Sequence, residues 1–191
     1  MSESGRVIIS GVGYPDLADY SIGIAVIEQL ATWSAPQNVI VEDLSYNPIA
    51  VVQRFQDEGG ESAFSRAVFV SAVTRPSREA GTVKSYRWDG ALPGEEDIQR
   101  AVTDGVTGII ALSNTLVIAK HFGALPDEVV IVEVEPQSNE FGAGLSLAVS
   151  AVFEKVCELM KTFAVDDEAV ALLPVDSLDY AVSPGWGLTV R

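Results

Sequence analysis

The apolar positions along the chain follow two spacings, one typical of buried strands and one typical of amphipathic helices. Short β-branched runs and one alternating segment predict strands at residues 6–10, 39–41, 67–70, 81–88 and 129–134. Helical spacing predicts helices at residues 21–33, after Pro48, at 109–122 and at 145–163. Because these elements alternate, we expect a three-layer α/β/α sandwich around a mostly parallel, mixed sheet of about five strands.

The domain organisation follows from length and continuity. The chain has 191 residues and shows no internal repeat or Pro/Ser-rich linker, so we expect a single domain over 1–191. The stretch 164–191 reads as a C-terminal extension, with a short strand expected at 169–173. Its Pro174, Pro184, Gly185 and Trp186 suit either a cover for the sheet edge or a contact with a partner, and the sequence does not choose between these roles.

Charge and composition exclude several classes of protein. The 12 Lys+Arg against 27 Asp+Glu give a net charge of −15, which repels phosphate backbones and anionic lipid and disfavours nucleic-acid and membrane-surface roles. The apolar runs are too short for a membrane span, and the first residues lack a signal-peptide pattern, so we expect a cytoplasmic protein. One cysteine and one histidine exclude an internal disulfide framework and leave little material for a His-based metal site.

The first strand runs into Gly11-Val12-Gly13. In a parallel sheet, ligands bind beyond the carboxyl ends of the strands, so this turn and the segments 42–45, 71–76 and those after Val134 should meet at one edge. A dinucleotide fingerprint would place its third glycine at Asp16, where a carboxylate repels pyrophosphate. We therefore expect a tight turn with positive φ at the glycines.

Acidic side chains are concentrated near this edge. Asp16, Asp19 and Asp43 suit a site for a hard metal ion or a shared proton, or they simply cap turns, with Asp19 capping the helix at 21–33. Glu133 and Glu135 share one face on or just past a strand; they suit the same acidic rim, although an exposed edge is the simpler interpretation.

The single histidine and the single cysteine have simple structural interpretations. His121 lies in a last helical turn, where it interacts with the helix carboxyl end, and Cys157 is expected to be a small buried apolar residue.

Taken together, these segments resemble the maturation endopeptidases of nickel–iron hydrogenases. The resemblance covers about residues 6–163, which we expect to form the family-like core. It rests on five stretches: the opening loop and the Gly step at 11–24, Asp43, the strand at 68–73, the turn at 80–82, and the run 122–126, 129–132, 135–136 and 144–146. It implies a phosphorylase/hydrolase-like fold and a hydrogenase large subunit as partner.

The resemblance also implies three groups that recognise nickel on the substrate: an acid ending the opening loop, an Asp ending the third strand, and a His beginning the next helix. Here these positions are Tyr20, Ser71 and Gly108 or a near neighbour, and the family's Asn after the second glycine is Tyr14. Tyr and Ser are neutral and Gly has no side chain, so we expect no metal site and no cofactor. His121 is about 20 Å along the helix from Gly108 and cannot replace the missing ligand.

Three hypotheses follow. The favoured one is a protease-like pseudoenzyme that acts in assembly. It would bind a hydrogenase large subunit, or another protein, in the cleft that corresponds to the family's substrate cleft. The second is an active endopeptidase whose acidic site is rebuilt from Asp16, Asp19, Asp43 and Glu133. The third is a small-molecule binding protein that uses the Gly11 turn and the hydroxyls of Tyr20 and Ser71.

Overall fold

A single mixed sheet organises the structure, a computed structural model that describes residues 5–59 and 63–178. Within these ranges the strands are β1 (Arg6–Gly11), β2 (Val39–Asp43), β3 (Phe64–Ala72), β4 (Val83–Trp88), β5 (Glu128–Val134) and β6 (Val175–Asp176). Their order is β2-β1-β3-β5-β4-β6. The first four strands in this order are mutually parallel, β4 runs antiparallel to β5, and β6 is parallel to β4. The predicted mostly parallel mixed sheet is confirmed, with the two-residue β6 as an additional strand.

Helices cover both faces of the sheet. They are α1 (Ile22–Leu30), α2 (Pro48–Gln56), α3 (Glu95–Val106), α4 (Leu112–His121), α5 (Leu147–Ser150), α6 (Phe153–Val165) and α7 (Asp167–Ala171), and a 3-10 turn over Ala18–Ser21 precedes α1. Pro48 occupies the first turn of α2, where its missing N–H costs no hydrogen bond, and Asn47 caps that turn by accepting from Ile49 N at 2.8 Å. No helix in the described ranges has the length and apolar character that a membrane crossing requires.

Alternation along the strands divides the core into two layers. In β1, Val7 and Ile9 pack with the side chains of α1 and α6, whereas Ile8 packs on the other face with those of α2 and α4. A further small cluster lies among α2, α3 and α4, away from the sheet. The three-layer α/β/α arrangement predicted from the sequence is therefore confirmed.

Helix α3 was not predicted. Only Ala101 and Gly105 of its twelve residues are buried, so its apolar stripe is too thin to show as helical periodicity. It packs on α4 rather than on the sheet, which explains why it needs so little apolar surface.

The predicted helix 145–163 was wrong as a single element. Ser146 caps the short helix α5, and the chain turns at Ala151 and Val152 before α6 begins. Because Val149 and Val156 both face the core on either side of this turn, the apolar spacing runs on across it. The predicted core boundary at residue 163 accordingly falls inside α6.

The short strand expected at 169–173 was also wrong. Residues up to Ala171 form α7, which Asp166 caps by accepting from Ala169 N at 2.9 Å, and the strand comes later as β6. Pro174 directly precedes β6, and its carbonyl accepts from Arg87 N at 2.9 Å, whereas Pro184, Gly185 and Trp186 lie outside the described residues.

Candidate functional site

The glycines after β1 make room for close backbone packing. Gly11 and Gly13 do not have positive φ, so the predicted positive-φ turn was wrong. A Cβ at Gly11 would lie 2.1 Å from the carbonyl oxygen of Gly23, and one at Gly13 would lie 2.4 Å from that of Tyr20. The left-handed residues of this loop are instead Asp16 and Ala18, with φ of 59° and 44°. The glycines thus let α1 and the opening loop pack directly against the end of β1.

A cavity of about 70 Å³ opens beyond the carboxyl ends of β1 and β3. The chain passes from β1 to β2 on one side and then to β3 on the other, so this is the crevice where ligands bind in open α/β sheets. Its lining combines the opening loop, the end of β3 with the loop after it, the start of α4, and single residues of β5 and the described C-terminal end: Gly13, Tyr14, Tyr20, Ser71, Ala72, Val73, Thr74, Arg75, Ile110, Ala111, Leu112, Ser113, Glu133 and Leu178.

Tyr20 and Ser71, two of the three positions singled out by the resemblance, line this cavity. Gly108 is exposed and lies outside the lining, where residues 110–113 at the start of α4 take its place. The Tyr20 hydroxyl is 2.7 Å from Thr74 Oγ1 across the mouth, and Ser71 Oγ donates to the carbonyl of Ala72 at 3.3 Å. Both side chains are neutral hydrogen-bonding groups at pH 7.

Tyr14 and Ser45 connect the opening loop to neighbouring segments. Ile110 N donates to the Tyr14 hydroxyl at 2.6 Å, and Gly13 N donates to Ser45 Oγ at 3.0 Å. Burial raises the pKa of Tyr14, which therefore stays protonated at neutral pH. The strand-end segments expected to meet at one sheet edge do so.

Glu133 forms a buried ion network at the floor of the cavity. Its side chain is 1% exposed and accepts hydrogen bonds from Arg75 at 2.8 Å, Arg78 at 2.6 Å and the Tyr86 hydroxyl at 2.8 Å. Burial by itself would raise the pKa of Glu133, but the two guanidinium groups outweigh it and lower the pKa. Burial and the adjacent Glu133 carboxylate raise the pKa of Tyr86, so the hydroxyl remains a donor.

Glu135 is likewise buried, and it accepts from Arg75 N at 2.8 Å. Burial raises the pKa of Glu135. The exposed edge expected for Glu133 and Glu135 was therefore wrong. Both carboxylates instead hold the loop between β3 and β4 against β5.

Asp19 is fully buried and joins two loops. Its carboxylate accepts from Gln137 N at 2.8 Å, Ser138 N at 2.9 Å and Ser146 N at 2.7 Å. Burial opposes its charge, but these hydrogen bonds prevail and lower the pKa of Asp19. The role expected for Asp19, a cap for α1, was wrong, since the N-cap of α1 is Ser21 and has no side-chain cap bond.

The structure does not bring the four acidic candidates together. Only Glu133 lines the cavity, Asp16 and Asp43 are exposed, and Asp43 accepts from Ser45 N at 2.9 Å. Over the ranges 5–59 and 63–178, no group of three or more His, Cys, Asp or Glu residues is arranged to hold a metal ion.

The predicted position of His121 in a last helical turn and the predicted burial of Cys157 are confirmed. His121 is exposed in the last turn of α4, and Cys157 is 1% exposed in the core. Burial, with a smaller effect of Glu154, raises the pKa of Cys157 to about 11.

Sequence reasoning missed Thr74, Arg75 and Arg78 as site residues. The sheet-edge rule had singled out the segment 71–76, which holds two of the three, but nothing local marks these side chains as partners of β5.

We compared the chain with known protein families, curated protein sequences and solved structures. No protein-family model and no curated protein sequence matches the chain. Among solved structures, an endopeptidase from Escherichia coli matches with a TM-score of 0.62 and 22% identity over 88% of this chain and 97% of that one. The hydrogenase maturating endopeptidase HybD from E. coli matches with a TM-score of 0.56 and 22% identity over 81% and 88%. The NiFe hydrogenase maturation protease HycI from Thermococcus kodakarensis KOD1 matches with a TM-score of 0.56 and 17% identity over 85% and 94%.

The chain has the fold of the hydrogenase maturation proteases. The resemblance inferred from the sequence is thereby confirmed at the level of fold, and the shared fold covers nearly the whole of each similar structure.

Proposed function

We propose that this chain is a hydrogenase maturation protease-like protein that binds a partner protein in the cleft and does not recognise nickel there. One observation carries the proposal: Tyr20 and Ser71 line the cleft at the positions where the resemblance implies carboxylates. Their hydroxyls are bonded to Thr74 and to the Ala72 carbonyl. Neutral hydroxyls are poor ligands for a divalent ion compared with carboxylate and imidazole groups.

The charge of the cleft floor supports the same conclusion. Glu133 is the acidic residue in the lining, and two guanidinium groups and a tyrosine hydroxyl already bind its oxygens. A nickel ion approaching Glu133 would have to displace these donors and meet the positive charge of Arg75 and Arg78. The network therefore disfavours metal recognition at Glu133.

The proposed partner is a NiFe hydrogenase large subunit or another metalloenzyme subunit under assembly. Two of the similar structures are hydrogenase maturation proteases, and the cleft of this chain has apolar walls and hydroxyl groups that suit peptide contact. Binding without cleavage corresponds to a role in assembly.

Nickel titration by calorimetry tests the missing site. We expect no submicromolar binding by the wild-type chain. We expect the double variant Tyr20→Glu/Ser71→Asp to bind nickel at least about tenfold more tightly than the matched neutral variant Tyr20→Gln/Ser71→Asn. Submicromolar nickel binding by the wild-type chain that weakens in the neutral variant would place nickel in the cleft and contradict the proposal.

Incubation with a nickel-loaded precursor of a NiFe hydrogenase large subunit tests the partner. We expect a complex on size exclusion and an uncleaved precursor. Ser113→Trp, which fills the cavity, should weaken binding by about tenfold or more, whereas Thr103→Trp on the exposed face of α3 should not. Cleavage of the precursor by the wild-type chain would instead establish the active endopeptidase.

A further inference from the structure

One buried carboxylate closes the loop between β5 and α5. Oδ2 of Asp19 accepts from Gln137 N and Ser138 N, and Oδ1 accepts from Ser146 N. Because both ends of the segment 138–146 bind the same carboxylate, they lie close together, as in the compact surface loops that often carry function. Asp19 itself is fully buried, so this closure is well protected from water.

The tip of this loop is fixed as well. Gly142 N donates to the carbonyl of Asp16 at 2.7 Å, and Phe141 forms an isolated antiparallel bridge with Leu17. The backbone of Phe141 is thus tied to the opening loop, yet its side chain is 80% exposed. Leu147, directly after the C-terminal end of the segment 138–146, is 90% exposed. We call Phe141 and Leu147, with their exposed acidic neighbours Asp16 and Glu140, the 141–147 patch.

This patch combines two properties of a docking surface. Large apolar side chains gain free energy when a partner covers them, and aromatic residues are prominent among the anchors of protein interfaces. The hydrogen bonds around Asp19 already order the backbone that carries Phe141, so docking requires little further loss of conformational entropy.

Charge identifies the kind of partner. Glu140 directly precedes Phe141, the Asp16 carbonyl accepts from Gly142 N directly after it, and the whole chain carries a net charge of −15. Like charges repel a second copy of the chain, and the same sign disfavours nucleic acid and anionic lipid. We propose that the 141–147 patch binds a basic segment of another protein that carries exposed aliphatic or aromatic side chains.

A synthetic peptide with lysines and leucines at helical spacing serves as the probe. Binding is measured by fluorescence anisotropy to the full chain, to F141S/L147S and to L172S. Leu172 is a matched control because it is also 80% exposed and its replacement leaves the net charge unchanged. We expect F141S/L147S to bind at least about tenfold more weakly and L172S to bind as the wild type does.

The charge requirement is tested in the same assay. Binding should weaken by about fivefold or more between about 50 mM and about 300 mM NaCl, and a peptide with glutamates in place of the lysines should not bind. D16N/E140Q should also weaken binding, with circular dichroism confirming the fold of each variant.

No binding of the basic peptide by the wild type, or equal binding by F141S/L147S and L172S, would overturn the proposal. Because this assay does not involve the cleft, its failure leaves the proposed function to stand or fall separately.

Discussion

Two buried carboxylates in this chain keep their charge by different means. Asp19 binds three backbone N–H groups from a remote loop, whereas Glu133 binds two guanidinium groups and a tyrosine hydroxyl. An unpaired buried carboxylate would cost several kcal/mol. Each of these two carboxylates can therefore be buried only because its hydrogen-bond donors are in place. Asp19 thereby positions the 141–147 patch, and Glu133 positions the floor of the cleft.

We expect Asp19→Asn to lower the free energy of unfolding by about 1–3 kcal/mol. The amide offers one oxygen instead of two and directs its own N–H donors at backbone donors, so at least one buried N–H loses its partner. Urea denaturation at pH 7 measures the change. The exposed Asp16→Asn, which also removes one negative charge, serves as the control and should change the free energy by less than about 0.5 kcal/mol.

The pH dependence of this difference has a definite sign. The pKa of Asp19 is lowered in the folded chain, because its backbone hydrogen bonds outweigh the cost of burial. The stabilisation is therefore fully present above the unfolded pKa of about 3.9 and is lost as the pH falls through the lower folded pKa. Wild type and Asp19→Asn should converge in stability on acidification. A gap that widens as the pH falls would contradict this account of Asp19.

At the scale of elements, close glycine contacts fix how α1 meets the sheet. Gly11 at the end of β1 approaches Gly23 in the first turn of α1, and a Cβ at Gly23 would lie 2.7 Å from the carbonyl oxygen of Val12. These contacts set the distance between α1 and β1. They also set where the opening loop, with Tyr14 and Tyr20, reaches the cleft.

We expect Gly11→Ala to destabilise the fold by about 1–3 kcal/mol, because the new Cβ would overlap a backbone carbonyl that cannot rotate away. Thermal unfolding measures the change. Gly144→Ala is the matched control, since nothing lies within 4 Å of a Cβ there, and it should shift stability by less than about 0.5 kcal/mol. Equal effects of the two substitutions would show that α1 can move away from β1 without a loss of stability.

At the scale of the whole molecule, the core between the sheet and α6 encloses the single cysteine. Cys157 packs among the side chains of α1, α6 and the strands, and burial raises its pKa from 9.0 to about 11. Both effects suppress its reaction as a thiolate. The thiol therefore reports on opening of the complete core rather than of one loop.

We expect Cys157 to react with an aromatic disulfide reagent at least about 100-fold more slowly in the native chain than in urea, because burial blocks access to the thiol and raises its pKa, which lowers the fraction of reactive thiolate. Absorbance of the released thiolate follows the reaction, with glutathione as a control for the reagent in each buffer. Rapid, complete labelling under native conditions would show that the α6 layer opens independently of the rest.

The alternation of strands and helices, the parallel sheet and the resemblance to the maturation endopeptidases could all be predicted from the order of the residues. These features depend on local periodicity and on motif order, which a linear chain displays directly. The same reasoning missed α3, because a helix that packs on another helix needs few buried positions, and it joined α5 to α6, because the apolar spacing continues across their junction.

The surroundings of the acidic residues, by contrast, became visible only in the folded chain. Asp19 finds its partners 118, 119 and 127 positions along the chain, and Glu133 finds Arg75, Arg78 and Tyr86 at separations of 58, 55 and 47. Whether a carboxylate is an exposed ligand or a buried acceptor depends on which distant segments fold against it. Residue type and spacing do not reveal those contacts, because burial and hydrogen-bond pairing arise only when the strands assemble into the sheet and the loops meet.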